Sequence, residues 1–428
     1  MPDTLLIHTE SIGPRLRYAC RMAFTVLSEV DHTITNNWEE FEVYSGPKFH
    51  YGVEKDCAFL FASGLLEGVN VEELDPGQGE YRQFPVIFTQ KKAGLLPFDV
   101  LSAVFYAVSR YEEYLPFDGD KLGRFGPTIS FAHRLGILQK LYVHRWVSFM
   151  LYALNDEFNT SFHLRKESTV EASFDIDNAF AYRHKGFART AGALVRSIAK
   201  GREFVERLAV LRGKRSDPYD NYAFLEDTCS KAGIRPKIFV LCASRARYDK
   251  NISPDSSTFK NLVTGLDTWA EVGIHPSVAS NRFGNMSSEK DQLRSILGRE
   301  VTLSRQHFLV LRFPGTYRNL INLDIGADHS MGYSSIPGFR AGISWPHTFF
   351  DLEKNEESGL IIHPFSFMDA TFIHHSPGLS ATEVLKSQWV EVKEFGGILH
   401  TVWHNEYFGG DLGPVWQKQL KFLFSELK

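Results

Sequence analysis

From Val170 to the end of the chain, strand-like and helix-like segments take turns, and this alternation restricts the fold more than any other feature. Residues 170–177 (VEASFDID) read as a strand ending in acids, and 217–233 as a helix with an Asp cap and a Gly stop. Residues 237–242 (KIFVLC) read as a strand and 255–273 as a helix again stopped by glycine. A very short strand follows at Ile274–His275, then a helix at 287–303 and a strand at 307–314. Residues 360–367 and 397–404 are later strands, and 412–427 closes the pattern as a helix. Such alternation implies a parallel sheet covered by helices. A parallel barrel of this kind carries its working residues at the C-terminal ends of its strands. Asp175, Asp177, His275, Arg312, His363 and His404 all fall at such ends.

The first part of the chain has a different character. Apolar residues recur at helical spacing over 15–27, 96–115 and 135–158, between short strands. The polar, charged run 163–169 (HLRKEST) marks the boundary. The expectation is a smaller α/β N-terminal domain over 1–165 and a barrel over 170–428. A length of 428 residues is too great for one ordinary compact domain, in keeping with that division. The acid-rich stretch RYEEYLPFDGD (110–120) reads as a helix end and turn, or as a face turned to the barrel mouth.

Composition excludes several classes of function. The net charge is −4, and the basic patches HKGFART and RGKR are short, so they read as solvated helix ends and nucleic-acid binding is not expected. Cys20, Cys57, Cys229 and Cys242 form no C-x-x-C pair, which suggests free thiols in a reducing compartment. The first ten residues lack the basic, then apolar, pattern of a secretory leader, and no run approaches the ~18 apolar residues of a membrane span. The expected location is cytoplasmic.

Three segments carry chemistry. In SFDIDN, Asp175 and Asp177 point to one side of an extended strand. Two such charges in proximity call for a metal or a shared proton, unless Asp177 or Asn178 merely caps a helix. In GIHPSVAS, His275 ends its short strand and is either a ligand or a structural imidazole. In LHTVWHNEYFGG, His404 suits general-acid work, Trp403 can stack on a sugar ring or sit in the core, and Asn405 follows.

The order Asp-x-Asp, His, Arg/Pro/Tyr and a late His resembles the polysaccharide deacetylases (carbohydrate esterase family 4, NodB homology). That resemblance implies a distorted (β/α) barrel that removes N- or O-acetyl groups from sugars. SFDID is similar to the family's Thr-Phe-Asp-Asp motif with one Ile inserted, so Asp175 would be the base and Asp177 a metal ligand. His275 matches the first ligand of the His-Ser/Thr-x-x-His motif, whereas Ala279 or Ser280 stands where the second His belongs. Arg312-Phe313-Pro314 with Tyr317 resembles the Arg-x-Pro motif, and His404 the terminal acid. The segments SRQHFL, TYRNL, DHSMGY, GFRAG, FMDAT, WHNE and SRYEEYLPFDGDKLGRF resemble a bacterial subgroup with an N-terminal domain of unknown function.

The resemblance implies a divalent metal, zinc by preference, bound by Asp177 and His275. Catalytic zinc commonly takes three protein ligands, so a third is sought. His363 is the foremost spare imidazole and His307 another; either also reads as structural, and Asp175 itself can ligate. His374 and His375 read as a surface loop. Arg312 or Arg340 is expected to hold a carboxylate ionised, and Asp328 to orient His404, bind substrate or make a turn. The expected partner is an acetylated sugar or glycan precursor. With the second motif His missing, a metal-free or degenerate C–N hydrolase and a non-catalytic carbohydrate-binding protein stay open beside the metal-assisted deacetylase.

Overall fold

The structure is a computed structural model and describes residues 4–90, 94–198, 201–376 and 378–426. Met1–Asp3, at the head of the segment read as leaderless, and Leu427, at the end of the predicted closing helix, lie outside the described residues.

The N-terminal part builds a four-stranded sheet from β1 (Leu5–His8), β2 (His32–Thr35), β3 (Lys48–Gly52) and β4 (Phe59–Phe61), all parallel, in the order β2-β1-β3-β4. A hairpin of β5 (Gln78–Tyr81) and β6 (Phe84–Ile87) follows. β1 is buried along its whole length, which its uninterrupted apolar run Leu-Leu-Ile allows. The predicted helix at 96–115 is confined to Val100–Val108. Asp99 caps it by accepting from Ser102 N at 3.0 Å. Every residue of this helix is buried, consistent with its lack of a polar face. The stretch 135–158 is helical only from Tyr142 to Phe158.

The C-terminal part is a nine-stranded sheet flanked by helices. Its strands are β7 (Ser168–Ile176), β8 (Lys237–Val240), β9 (Glu271–Ile274), β10 (Leu303–Ser304), β11 (Ala327–Asp328), β12 (His347–Asp351), β13 (Glu356–Ile362), β14 (Phe367–Met368) and β15 (Gly397–His404). Their order is β12-β13-β11-β10-β9-β8-β7-β15-β14, and only β12 pairs antiparallel. The expected barrel is therefore not closed by strand pairing among the described residues. The chain between β13 and β14 crosses the gap instead. His363 N donates to Asp328 O at 2.8 Å on one side, and Ser366 N donates to His400 O at 3.2 Å on the other. The outer hairpin β12–β13 is covered by the N-terminal part: Tyr18 Oη donates to Thr348 O at 2.7 Å, and the Tyr18 and Phe350 rings lie 5.1 Å apart. An edge covered in this way is shielded from pairing with other chains.

Three sequence expectations are corrected. Residues 307–314 are not a strand; the strand is the two-residue β10 upstream, and Phe308 and Leu309 adopt left-handed φ values of 57° and 54° that break an extended run. The helix at 255–273 ends at Asp267, and Gly273 belongs to β9, where a side chain would meet Leu303 at 2.8 Å. Asp217 does not cap the helix Tyr222–Ala232; its carboxylate accepts from the backbone of Ala181, Tyr182 and Arg183 at 2.7–2.9 Å.

The two parts share one contiguous hydrophobic core that runs from Leu5 to Phe424. A buried ion network also joins them. Arg340 pairs through Nε with Glu113 Oε1 at 2.9 Å, and Arg110 Nε pairs with the same oxygen at 2.7 Å. Gly342, at φ 69°, lies where a Cβ would collide with the Tyr142 ring, so the segment presses directly on the helix Tyr142–Phe158. The four cysteines are free. No helix among the described residues is long and apolar enough to cross a membrane.

Candidate active site

A cleft of about 680 Å³ opens at the C-terminal ends of β7, β9, β10 and β15 and is lined by Asp175, Asp177, His275, His307 and His404. Parallel pairing puts these groups together. β15 lies beside β7 with His404 in direct register with Asp175, so two residues far apart in sequence become neighbours. β9 delivers His275 at its end, and the turn after β10 delivers His307.

Two subsets emerge. Asp177, His275 and His307 form one. His275 Nε2 lies 3.1 Å from Asp177 Oδ1, and His307 Nε2 lies 3.4 Å from Asp177 Oδ2. The ligand atoms of the three lie within 4.8 Å of one another. Each imidazole is fixed through its other nitrogen: His275 Nδ1 at 2.5 Å from Arg305 O, and His307 Nδ1 at 2.7 Å from Asp249 Oδ1. This leaves both Nε2 atoms facing the carboxylate, the outer-shell arrangement that metal-binding histidines require. Asp177 Oδ1 is buried without a hydrogen bond. Burial opposes ionisation of Asp177, but His307 and His275 outweigh it and hold the carboxyl well below its usual range. One carboxylate and two oriented imidazoles are a donor set that suits a divalent ion such as zinc.

Asp175 and His404 form the second subset. Arg305 Nη1 donates to Asp175 Oδ1 at 2.8 Å, which leaves Oδ2 facing His404 Nε2 at 3.9 Å and His275 Nε2 at 4.0 Å. Arg305 is itself fully buried and held by Ser173 Oγ and His329 O at 2.7 and 2.9 Å. His404 Nδ1 lies 2.6 Å from Asp369 Oδ1, and Asp369 Oδ2 accepts from His404 N at 2.7 Å. Burial lowers the imidazole's proton affinity, but the carboxyl groups around it, Asp369 foremost and then Asp177 and Asp175, together outweigh it and raise His404 to about 10. The protonated His404 imidazole thus faces the Asp175 carboxyl group, Nε2 to Oδ2 at 3.9 Å.

Of the residues the sequence singled out, Asp175, Asp177, His275, His307 and His404 converge on the cleft, with His374 and His375 exposed at its rim. Trp403, Tyr317, Arg312, Arg340, Asp328, Asn405 and His363 do not line it. Trp403 is fully buried among Phe367, Phe408 and Trp416, because strand alternation turns it away from the face that presents His404. Tyr317 is buried against Phe313 and Phe349. Arg312 donates to Leu122 O at 2.9 Å, and Arg340 is taken by Glu113, so the arginine that holds the Asp175 carboxylate is Arg305. Asp328 accepts from Ser330 N and Oγ at 2.9 Å as a turn residue; burial lifts it to about 6, and it is Asp369 that orients His404. Asn405 staples the chain after β7 by donating to Asn178 O and Tyr219 O, each at 3.0 Å. His363 stacks on His329 at 4.3 Å, outside the Asp177 group.

Sequence reasoning left Arg305, Asp249 and Asp369 without roles. Arg305-x-His307, directly after a strand, was the available sign, since alternation puts both on one side. The first part of the chain also reaches the cleft, through Asp120, Lys121, Leu122 and Arg124. Arg124 Nη1 donates to Phe308 O at 2.6 Å, beside the left-handed turn that carries His307. A second grouping, His8, Glu10 and His50, is less suited to an ion: the two imidazoles bond each other at 2.9 Å, and Glu10 pairs with Lys55 at 2.7 Å.

Residues 5–159 match a family of unknown function, DUF7033. No curated protein matches the chain. Among solved structures it is similar to a protein assigned as a polysaccharide deacetylase from Mycobacterium smegmatis, at 12% identity over 61% of this chain and 85% of that one, with a TM-score of 0.39. It is also similar to a polysaccharide deacetylase from Bacillus cereus, at 12% identity over 60% of this chain and 88% of that one, with a TM-score of 0.27. Both likenesses are remote, and the functional reading rests on the site's own geometry.

Proposed function

We propose that the chain is a hydrolase that removes an acetyl group from an N- or O-acetylated sugar. The observation that carries this reading is one cleft holding a carboxylate fixed by Arg305, an imidazolium fixed by Asp369, and, beside them, Asp177 with two oriented imidazoles. Asp177, His275 and His307 would hold a divalent ion, zinc by donor type, whose chemistry is to polarise the acyl oxygen and lower the pKa of water. Asp175 accepts the proton of the attacking water at Oδ2, since Oδ1 is engaged by Arg305. His404 donates from Nε2 to the departing amine or alkoxide, because Nδ1 is tied to Asp369. Burial of both groups excludes bulk water and strengthens their mutual effect.

The missing second motif histidine left metal-free and binding-only readings open. His307, at the position described, supports the metal-assisted reading over both. A binding module needs neither a fixed base nor a fixed acid, and this cleft has each held by a buried partner of opposite charge. The test is elemental analysis of the purified chain together with acetate release from a panel of acetylated sugars. The expected result is near-stoichiometric metal that is lost in Asp177→Ala and His307→Ala, and turnover that is lost in Asp175→Asn with metal retained. A chain that takes up no zinc, cobalt or nickel overturns the metal-assisted mechanism.

A further inference from the structure

The chain between Arg183 and Arg215 does not fit the surface of an ordinary soluble domain. It forms two helices, Phe187–Ser197 and Arg202–Leu211. On the first, Phe187, Ala191, Leu194, Val195 and Ile198 recur at helical spacing and make one apolar stripe. Stripes of this kind normally face a core. Here Phe187 is 91% exposed, Val195 68% and Ile198 62%, and Val205 on the second helix is 65% exposed.

Charge indicates what covers the stripe. The segment holds ten Lys and Arg against two Glu, in a chain whose net charge is −4. Arg183, Lys185, Arg212, Lys214 and Arg215 have no carboxylate at ion-pair distance among the described residues. Arg189 spends its donors on backbone, giving hydrogen bonds to Lys250 O at 2.7 Å and Asn251 O at 3.2 Å. Arg196 donates to Gly192 O. Exposed apolar residues on one face, bordered by cations, are the composition of a helix that lies in an interface with its apolar side in acyl chains and its cations among anionic headgroups. A nucleic-acid surface matches the charge but leaves Phe187, Val195 and Ile198 in water.

We infer that these two helices dock the protein on the surface of an anionic lipid bilayer, with Phe187, Val195, Ile198 and Val205 as the inserted residues. The geometry connects docking to the cleft. Phe187 follows Asp177 by ten positions, and the Arg189 bonds tie the first helix to Lys250 on the cleft rim. Lys185 lies near enough to the cleft residue Glu406 for the two to affect each other electrostatically. The cleft mouth is thereby held beside the membrane surface, where an amphiphilic acetylated substrate would present its head. That last consequence rests on the hydrolase reading; the docking itself does not.

The test is co-sedimentation of the full chain with vesicles of phosphatidylcholine alone and of phosphatidylcholine with an equal part of phosphatidylglycerol, at low and high salt. The expected result is binding to the anionic vesicles, weakened by salt, with affinity reduced at least about tenfold in the Phe187→Glu/Val195→Glu double variant. Both substitutions fall on exposed positions, so circular dichroism and metal content should match the wild type. Equal affinity of wild type and double variant, or no binding to anionic vesicles, overturns the inference. A wild type that ignores vesicles but forms a dimer, dispersed by the double variant, overturns it in favour of a second copy on the stripe. Vesicle binding without acetate release from any sugar leaves docking in place and counts against the hydrolase reading alone.

Discussion

His404 and Asp369 act as one unit. The imidazole stays protonated well past neutrality because the buried carboxylate beside it needs a countercharge. The acid form is therefore complete below the ordinary histidine value of 6.5 and is lost as pH rises through about 10. Asp369→Asn removes the largest raising influence. It should move the alkaline limb of the pH–rate profile down toward 6.5 and lower kcat by about 10²-fold, read from steady-state rates between pH 5 and 10.5. An unshifted limb assigns it to another group. Glu113 makes a different prediction at the same scale. It lies between Arg110 and Arg340, all three nearly inaccessible to solvent. Glu113→Gln should destabilise the fold by about 3–5 kcal/mol in chemical denaturation, because Arg340 would keep its buried charge without a counterion while Arg110 retains only Glu112.

At the scale of elements, the turn His307–Leu309 carries the argument. Two consecutive non-glycine residues in the left-handed region cost about 1–2 kcal/mol each, so the turn persists only if its surroundings hold it. Arg124 does so from outside the sheet, through Phe308 O and Ser334 Oγ at 2.6 and 3.1 Å, and Asp120 in turn aligns Arg124. Arg124→Ala should weaken metal binding by about tenfold while the metal-free unfolding midpoint moves little, measured by cobalt titration and thermal melts. Affinity equal to wild type would show that the turn holds itself. This turn also explains what the sequence concealed. Asp175, Asp177, His275 and His404 were legible because each ends a strand whose apolar run is visible. β10 and β11 have two residues each, too short for any periodicity, so His307 and Arg305 were not placed against a strand end. The Asp369–His404 and Arg110–Glu113–Arg340 contacts depend on packing between distant segments, which no local pattern encodes. Trp403 was left open between sugar stacking and the core; alternation along β15, with His404 facing the cleft, turns it into the core.

Across the whole molecule, the N-terminal part is structural cement as well as cleft wall. It covers the β12–β13 edge, shares the core and lends Leu122 and Arg124 to the site. Deletion of residues 1–165 should therefore give an aggregating or molten product rather than an unchanged sheet, read by sedimentation and near-ultraviolet dichroism. A soluble fragment with sharp melting would separate the two parts. The order of the large sheet has a consequence for biogenesis. β7 is its first strand to be synthesised and β15 its last, yet they are adjacent over eight residue pairs. Any nascent or truncated product that stops before Gly397 holds Asp177, His275 and His307 but lacks His404 and leaves β7 paired with β8 alone. On the proposed reading, the groups that would hold the ion are therefore synthesised long before His404, the proposed proton donor, which arrives with the strand that completes the pairing of β7.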